Sequence, residues 1–253
     1  MKFDVVIGNP PFQNPHGVNS HALWEEFIYK SHDVCNDNGY IVMVTPYVGR
    51  RKVKEQFFNN DFLLYKTDGV ASYFPTIGST FCYHIVKKAN NTKKTLTNVN
   101  GILFDLTKYG FIPNKINPEI ERMLDKLMTG TPLKIQNGGV HSTKSRLFSD
   151  QSSSSFPYKY QHTGSQIKYC SKKCTAMEHS LKVVCSKSGY LRPWLDKDGI
   201  GITEGSWCIP VSSELEGNKI VNFLSSSEVK LFNELSGSNT AAHDPNKYKL
   251  LCI

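Results

Sequence analysis

The stretch Asp4-Val5-Val6-Ile7-Gly8-Asn9-Pro10-Pro11-Phe12 decides the fold. Val5-Val6-Ile7 is a short continuous apolar run, the pattern of a fully buried strand, and Gly8 stops it. Residues 21–33 follow with a helical period. Leu23, Trp24, Phe27 and Ile28 fall on one face, with Glu25, Glu26 and Lys30 opposite. Asn36-Asp37-Asn38-Gly39 ends that helix. Tyr40-Ile41-Val42-Met43-Val44 reads as a second buried strand, closed by Pro46. A shorter helix is predicted over 50–59, a third strand over 62–66 and a further strand over 81–86. Strand–helix–strand order with continuous apolar strands predicts the α/β class, a parallel-type sheet with helices on both faces.

The pattern changes after residue 95. Lys93-Lys94-Thr95 opens a linker-like stretch, which sets two domains, 1–96 and 97–253. The second reads as α+β. A helix over 117–128 starts at Asn117-Pro118 and turns Ile120, Met123, Leu124 and Leu127 inward. Ser152 to Ser155 is a short loop. Strand-like segments follow near 158–169, 181–186 and 207–211, then a helix over 216–235. The run from Lys247 to Ile253 ends strand-like and apolar.

The chain has 253 residues, 39% of them hydrophobic, enough for a substantial core. Thirty Lys and Arg against 22 Asp and Glu leave a net charge of +8, which favours a polyanionic partner. No stretch approaches the roughly 20 apolar residues of a membrane helix, and no apolar signal core follows Met1, so a cytoplasmic protein is expected. The seven cysteines read as free thiols. Cys170, Cys174, His179 and Cys185 have ligand-type side chains, but their spacing matches no common zinc module. Buried thiols with a surface histidine are the competing reading, and no metal is expected.

The turn after the first strand carries the chemistry. In open α/β sheets ligands bind at the carboxyl ends of strands. Pro10 and Pro11 fix φ and remove two backbone donors, which stiffens the turn. The side-chain oxygen of Asn9 and the carbonyl of Pro10 are two neighbouring acceptors, suited to an exocyclic amine with two N–H bonds. Phe12 offers a flat face on which a ring can stack.

This segment resembles motif IV, the Asn-Pro-Pro-Tyr/Phe signature, of DNA adenine-N6 methyltransferases, with flanks like the Eco57I-type restriction–modification branch. The resemblance continues through Leu23-Trp24-x-x-Phe27-Ile28 in the following helix. It extends through Asn38-Gly39-Tyr40-Ile41-Val42-Met43-Val44-Thr45-Pro46 in the next strand, and through Phe74-Pro75-x3-Ser79-Thr80-Phe81-Cys82-Tyr83-His84. It implies a partial Rossmann-like methyltransferase sheet over 1–96 and a DNA target-recognition domain over 97–253. It implies Asn9, Pro10 and Phe12 as catalytic residues and Phe12 and Phe74 as the rings that stack on a flipped adenine. Asp4 is a weaker candidate, either a supporting residue or a solvated strand start. Arg146, Lys159, Lys168, Lys172, Lys173, Lys182, Lys187 and Arg192 make the second domain basic, interleaved with Tyr158, Tyr160, Tyr169, Tyr190 and Trp194. Of these, Arg146, Lys168, Lys172, Lys173, Lys187 and Arg192 are the candidate contacts to double-stranded DNA. A basic surface over a Tyr-rich core is the alternative. Tyr47 and Arg50-Arg51-Lys52 are further possible phosphate contacts, or a solvated helix start.

The resemblance also implies S-adenosylmethionine as methyl donor, normally cradled by a Gly-rich loop before the motif. Only three residues precede Asp4, and Asn137-Gly138-Gly139 and Asp198-Gly199-Ile200-Gly201 read as ordinary turns. The donor-binding half is therefore expected to be absent, and the chain to be a fragment, a split subunit completed by a second polypeptide, or a degenerate relative. The functional expectation is a DNA adenine-N6 methyltransferase component. The alternative is a catalytically inactive DNA-binding or specificity remnant of one. The open sheet edge beside Val5-Val6-Ile7 is expected to be apolar and unpaired.

Overall fold

A computed structural model describes residues 1–12, 23–48, 53–75, 80–89, 96–137, 143, 146–163, 166–189, 191–236, 243 and 245–253. The predicted linker at Lys93-Lys94-Thr95, the basic triplet Arg50-Arg51-Lys52, Ser79, Gly138-Gly139 and Tyr190 lie outside the described residues.

The apolar run becomes strand β1 (Phe3–Gly8), and the amphipathic stretch becomes helix α1 (Leu23–Val34). Strand β2 (Cys35–Pro46) lies parallel to β1, with Val5 opposite Tyr40 and Gly8 opposite Met43. The ladder slips between Phe3 and Val5, where Asn36–Gly39 bulge outward and Asn38 takes φ 66°. Gly39 is required there: a Cβ would lie 2.7 Å from Cys35 Sγ and 2.8 Å from the Asp4 carbonyl. Asn36 Nδ2 donates to Asp4 Oδ1 at 2.8 Å and ties the strands together.

Helix α2 (Lys54–Phe58) leads to β3 (Asp61–Lys66), and a short 3-10 turn over Val70–Tyr73 leads to β4 (Phe81–Lys87). Strands β5 (Thr97–Val99) and β6 (Ile102–Phe104) complete a sheet of order β1-β2-β4-β3-β5-β6 among the described residues. The sheet is mixed, not parallel-type as the apolar runs implied. The β2-to-β3 crossover leaves one strand position open. β4 fills it antiparallel to both neighbours, from Tyr40↔Lys87 to Pro46↔Phe81 on the β2 side.

The helices do not cover both faces at β1 and β2. α1 packs on β1 and β2 and touches α2, which packs on β3, so both lie on one face. That face buries Trp24, Ile28, Ile41, Met43, Phe57, Phe62, His84 and Val86. The buried stripe of α1 is Trp24, Ile28, Ser31 and His32, and Phe27 is 42% exposed rather than core. Phe3, Val5 and Ile7 are exposed, Ile7 by 76%. Among the described residues β1 pairs only with β2.

The chain divides into two compact units, Met1–Glu121 with Leu235–Gly237, and Arg122–Glu234 with Ser238–Ile253. The division falls near 121 rather than 97, because β5 pairs parallel with β3 and β6 pairs with β5. Helix α3 (Pro118–Leu127) is capped by Asn117 Oδ1, which accepts from the backbone of Glu119 and Ile120 at 3.0 and 2.8 Å. Ile120, Leu124 and Leu127 are buried as expected, and Met123 half-buried.

The second unit holds short strands: β7 (Gln136–Asn137), β8 (Phe148–Ser149), β9 (Tyr158–Gln161), β10 (Ile167–Cys170), β11 (Lys182–Ser186), β12 (Trp194–Asp196), β13 (Gly201–Ile202) and β14 (Ser206–Pro210). They form two sheets of order β13-β9-β10-β8 and β12-β11-β14-β7. The single helix expected over 216–235 is two, α4 (Glu214–Leu224) and α5 (Ser227–Leu235). The Ser225 N–H closes α4 on the Val221 carbonyl, and Ser226 Oγ accepts from Val229 N to start α5. Helix α6 (Pro245–Tyr248) takes the first part of the C-terminal run, and only its last residues are strand-like: Leu251 to Ile253 pair antiparallel with Thr131 to Leu133, with Cys252 opposite Pro132.

Candidate functional site

Because β1, β2 and β3 run the same way and β4 runs opposite, their ends gather at one rim of the first sheet. β1 delivers Asn9-Pro10-Pro11-Phe12, β2 delivers Pro46 and Tyr47, and β4 starts there with Phe81, which pairs with Pro46. Pro10 is buried while Asn9 is exposed, so the stiff turn is anchored by its proline and presents its amide. No hydrogen bond engages the Asn9 side chain among the described residues. Asp4 stands at the other end of β1, about 16 Å away along the strand, and is occupied by Asn36. Asp4 is therefore a strand-start residue and does not support Asn9.

The structure gives Phe12 and Phe74 a common partner. The Phe12 ring lies 5.0 Å from Phe81 at 36°, and the Phe74 ring lies 4.9 Å from Phe81 at 45°. Phe12 and Phe74 are half-buried, and Phe81 is 1% exposed. Beside them an apolar hollow of about 320 Å³ is lined by Ile7, Gly8, Val42, Val44, Val70, Tyr73, Phe74 and Tyr83. Behind the rim, Asn100 Oδ1 accepts from the backbone of Thr67 and Asp68 at 3.2 and 3.3 Å and fixes the turn after β3. Asn100 holds φ 52°, and no local sequence signal marks it.

Among the described residues no strong base or nucleophile stands at this rim. The Cys82 thiol is pushed up to about 12 by burial, against the opposing effect of its hydrogen bonds to Thr45. Burial, with Cys82 and Asp68 nearby, raises the Tyr47 phenol. The rim offers acceptors and flat rings, which suits recognition of an amino-bearing ring better than proton abstraction.

A donor cradle is not formed by the described residues. The Asp198–Gly201 turn is structural: Asp196 accepts from the backbone of Asp198 and Ile200 at 3.1 and 2.9 Å, and Gly201 lies against the Tyr160 ring. Asn137 belongs to β7. Among the described residues near the motif, Gly8 to Pro10 can border a ligand's reactive end but do not enclose a nucleoside. The full chain is expected to bind S-adenosylmethionine no better than about millimolar, near −4 kcal/mol. Micromolar affinity by titration calorimetry would sink that expectation.

The cysteines do not converge on a metal position. Cys170 and Cys174 pack with Tyr160, Ile202 and Cys208 in an apolar core, and Cys185 is buried. His179 Nε2 lies 3.1 Å from Gln136 Nε2. Among the described residues no three His, Cys, Asp or Glu side chains group to hold an ion.

Of the basic candidates, four gather around the carboxyl end of β10. Lys168 is in β10, Lys172 and Lys173 follow it, and Ser171 N donates to the Leu147 carbonyl at 3.0 Å, which brings Arg146 alongside. Arg146, Lys172 and Lys173 are exposed. Lys168 pairs with Asp150, and Lys173 lies over the Tyr158 ring at 5.5 Å. Lys187 and Arg192 belong instead to the ends of β11 and β12, in the other sheet. Lys182 is no surface cation: it is fully buried and paired with Asp196 across the β11–β12 ladder.

Among curated proteins none matches this sequence. Among solved structures the chain is similar to the Type IIL restriction-modification enzyme MmeI in complex with DNA, at 8% identity and TM-score 0.47, over 94% of this chain and 44% of that one. It is similar to the ATP-dependent Type ISP restriction-modification enzyme LlaBIII bound to DNA, at 11% identity and TM-score 0.41, over 89% and 26%. It is similar also to the type IIG restriction endonuclease BpuSI, at 7% identity and TM-score 0.35, over 96% and 43%. The chain thus spans less than half the length of each. Residues 1–68, which carry β1, α1, β2 and the Asn9–Phe12 turn, match the family model of the Eco57I restriction-modification methylase.

Proposed function

We propose that this chain is the base-engaging and DNA-recognising part of a DNA adenine-N6 methyltransferase of the restriction–modification type. The observation that carries the reading is the exposed Asn9 on a proline-anchored turn at the carboxyl end of β1, within the stretch that matches a methylase family. Adenine N6 is a weak nucleophile because its lone pair is delocalised into the ring. Donating its two hydrogens to Asn9 Oδ1 and the Pro10 carbonyl holds that lone pair on nitrogen, which is electrostatic preorganisation without a strong base. The base must leave the duplex to reach the turn, and stacking on Phe12 and Phe74 offsets part of that cost.

The donor-binding half lies outside the described residues in this reading. The single-sided pairing of β1 and the exposed Val5 and Ile7 support it, since a further strand and a covering layer would bury both. The second reading, an inactive specificity remnant, is favoured by the lack of a donor cradle among the described residues. Methyl transfer to DNA by the chain with a donor-binding half, set against Asn9→Ala, separates the two.

The second unit is assigned to DNA backbone contact through Arg146, Lys168, Lys172 and Lys173. If about four phosphates are neutralised, log K should fall with log salt at a slope near −3.6. Fluorescence anisotropy with a duplex between 50 and 200 mM salt measures the slope, and a flat affinity would remove the assignment.

A further inference from the structure

We infer that Phe81 is the positioning residue of the base site, holding Phe12 and Phe74 as one unit without itself touching the base. The inference rests on reading Asn9–Phe12 as an adenine site. Phe12 and Phe74 both sit on irregular backbone, one in the turn after β1 and one just past the 3-10 turn. Among the described residues, neither segment makes a hydrogen bond or ring contact with the other that would fix the distance between them. Phe81 sits on regular backbone, the first residue of β4, paired with Pro46 of β2.

Phe81 stands on the side of the sheet that α1 and α2 leave uncovered. The register places it in line with Tyr83 and Ile85 of β4, Val42 and Val44 of β2, and Ile7 of β1. Ile7 is largely exposed, yet Phe81 is almost fully buried. The rings that pack on it are those of Phe12 and Phe74, at 5.0 and 4.9 Å. It has no free face to offer a base, whereas each outer ring keeps part of its surface open. The tilts of 36° and 45° are offset packings, in which each outer ring is braced by Phe81 rather than stacked flat upon it. Truncating Phe81 removes the support of both rings at once.

The test is a titration of the full chain into 2-aminopurine nucleoside, an adenine analogue whose fluorescence is quenched on stacking. Neither the DNA target nor the methyl donor is needed. The unaltered chain should quench, and Phe12→Ala should weaken binding about tenfold, the loss of one stacked face. Phe81→Ala should weaken it about as much as the double variant Phe12→Ala/Phe74→Ala, and add nothing in that background. Phe81→Tyr should restore binding. A general loss of fold would instead show as lost far-ultraviolet circular dichroism in Phe81→Ala. Should Phe81→Ala not fold, Phe81→Leu keeps the apolar volume and removes the ring, and about threefold weakening is expected. If Phe12→Ala weakens quenching and neither Phe81→Ala nor Phe81→Leu does, the positioning role is overturned and the adenine site stands. If Phe12→Ala leaves quenching unchanged, the adenine site fails and the positioning role with it. A further loss in the triple variant would show that Phe81 meets the base directly, and would also overturn the inference.

Discussion

Asn9→Ala is expected to lower methyl transfer to DNA about 10²- to 10³-fold, the range seen when one preorganised polar partner is removed from a reacting centre. The methyl group removes the only side-chain acceptor that the turn presents, since Pro10 contributes its backbone carbonyl and Phe12 only a ring. DNA affinity should change less than about twofold, because affinity comes from phosphate contacts made elsewhere. Stability should hardly move, because Asn9 is exposed and caps nothing among the described residues. Asn9→Asp keeps an oxygen at the same place and should retain part of the activity. Transfer of a radiolabelled methyl group to DNA, with a donor-binding half supplied, makes the measurement. Undiminished transfer by Asn9→Ala would end the reading of the turn as an amine acceptor.

The parts of the fold that follow one period were legible. β1, α1 and the core of β2 fall where the apolar runs and the 3.6-residue stripe put them, and Asn117 caps α3 as its chemistry requires. The direction of β4 was not legible, because a continuous apolar run looks alike in a parallel and an antiparallel strand. The stripe of α1 turned past Phe27 onto Ser31 and His32, where the Ser31 hydroxyl finds a local acceptor and the His32 backbone receives a distant lysine. Ser31 Oγ donates to the Phe27 carbonyl at 2.6 Å, and Lys88 Nζ donates to the His32 carbonyl at 2.8 Å. Lys182 reads as a surface cation until the register sets it opposite Asp196. At the candidate site, the acceptor turn could be read from four residues. The shared contact of Phe12 and Phe74 with Phe81 joins positions 69 and 7 residues away, and only the paired strands bring them together.

Acid should destabilise the first unit well before its carboxylates protonate. His84 is fully buried in the core beneath α1 and α2, edge-on to Phe57 at 4.8 Å, and its Nδ1 has no hydrogen-bond partner among the described residues. Burial, with His32 nearby, lowers its pKa to about 3. His32, at the end of α1, is lowered to about 4 by burial and then by the Lys88 ammonium, against a smaller opposing effect of Asp33. Above pH 6.5 both imidazoles are neutral whether the chain is folded or not, and they confer no pH dependence. Below it the unfolded chain takes up two protons that the folded chain refuses. Stability therefore falls as pH drops through 6.5, and keeps falling until the folded groups protonate near 4 and 3. At pH 5 each histidine costs about 2 kcal/mol, so together about 4 kcal/mol out of a typical 5–15. Urea unfolding followed at pH 7 and pH 5 measures the loss, with Trp24 of α1 as the buried reporter in this unit. His84→Leu removes one of the two groups and leaves no polar atom without a partner. It should be near-neutral at pH 7 and should roughly halve the loss at pH 5. Equal midpoints at pH 7 and pH 5 in the unaltered chain would show that the two imidazoles are not held neutral by burial.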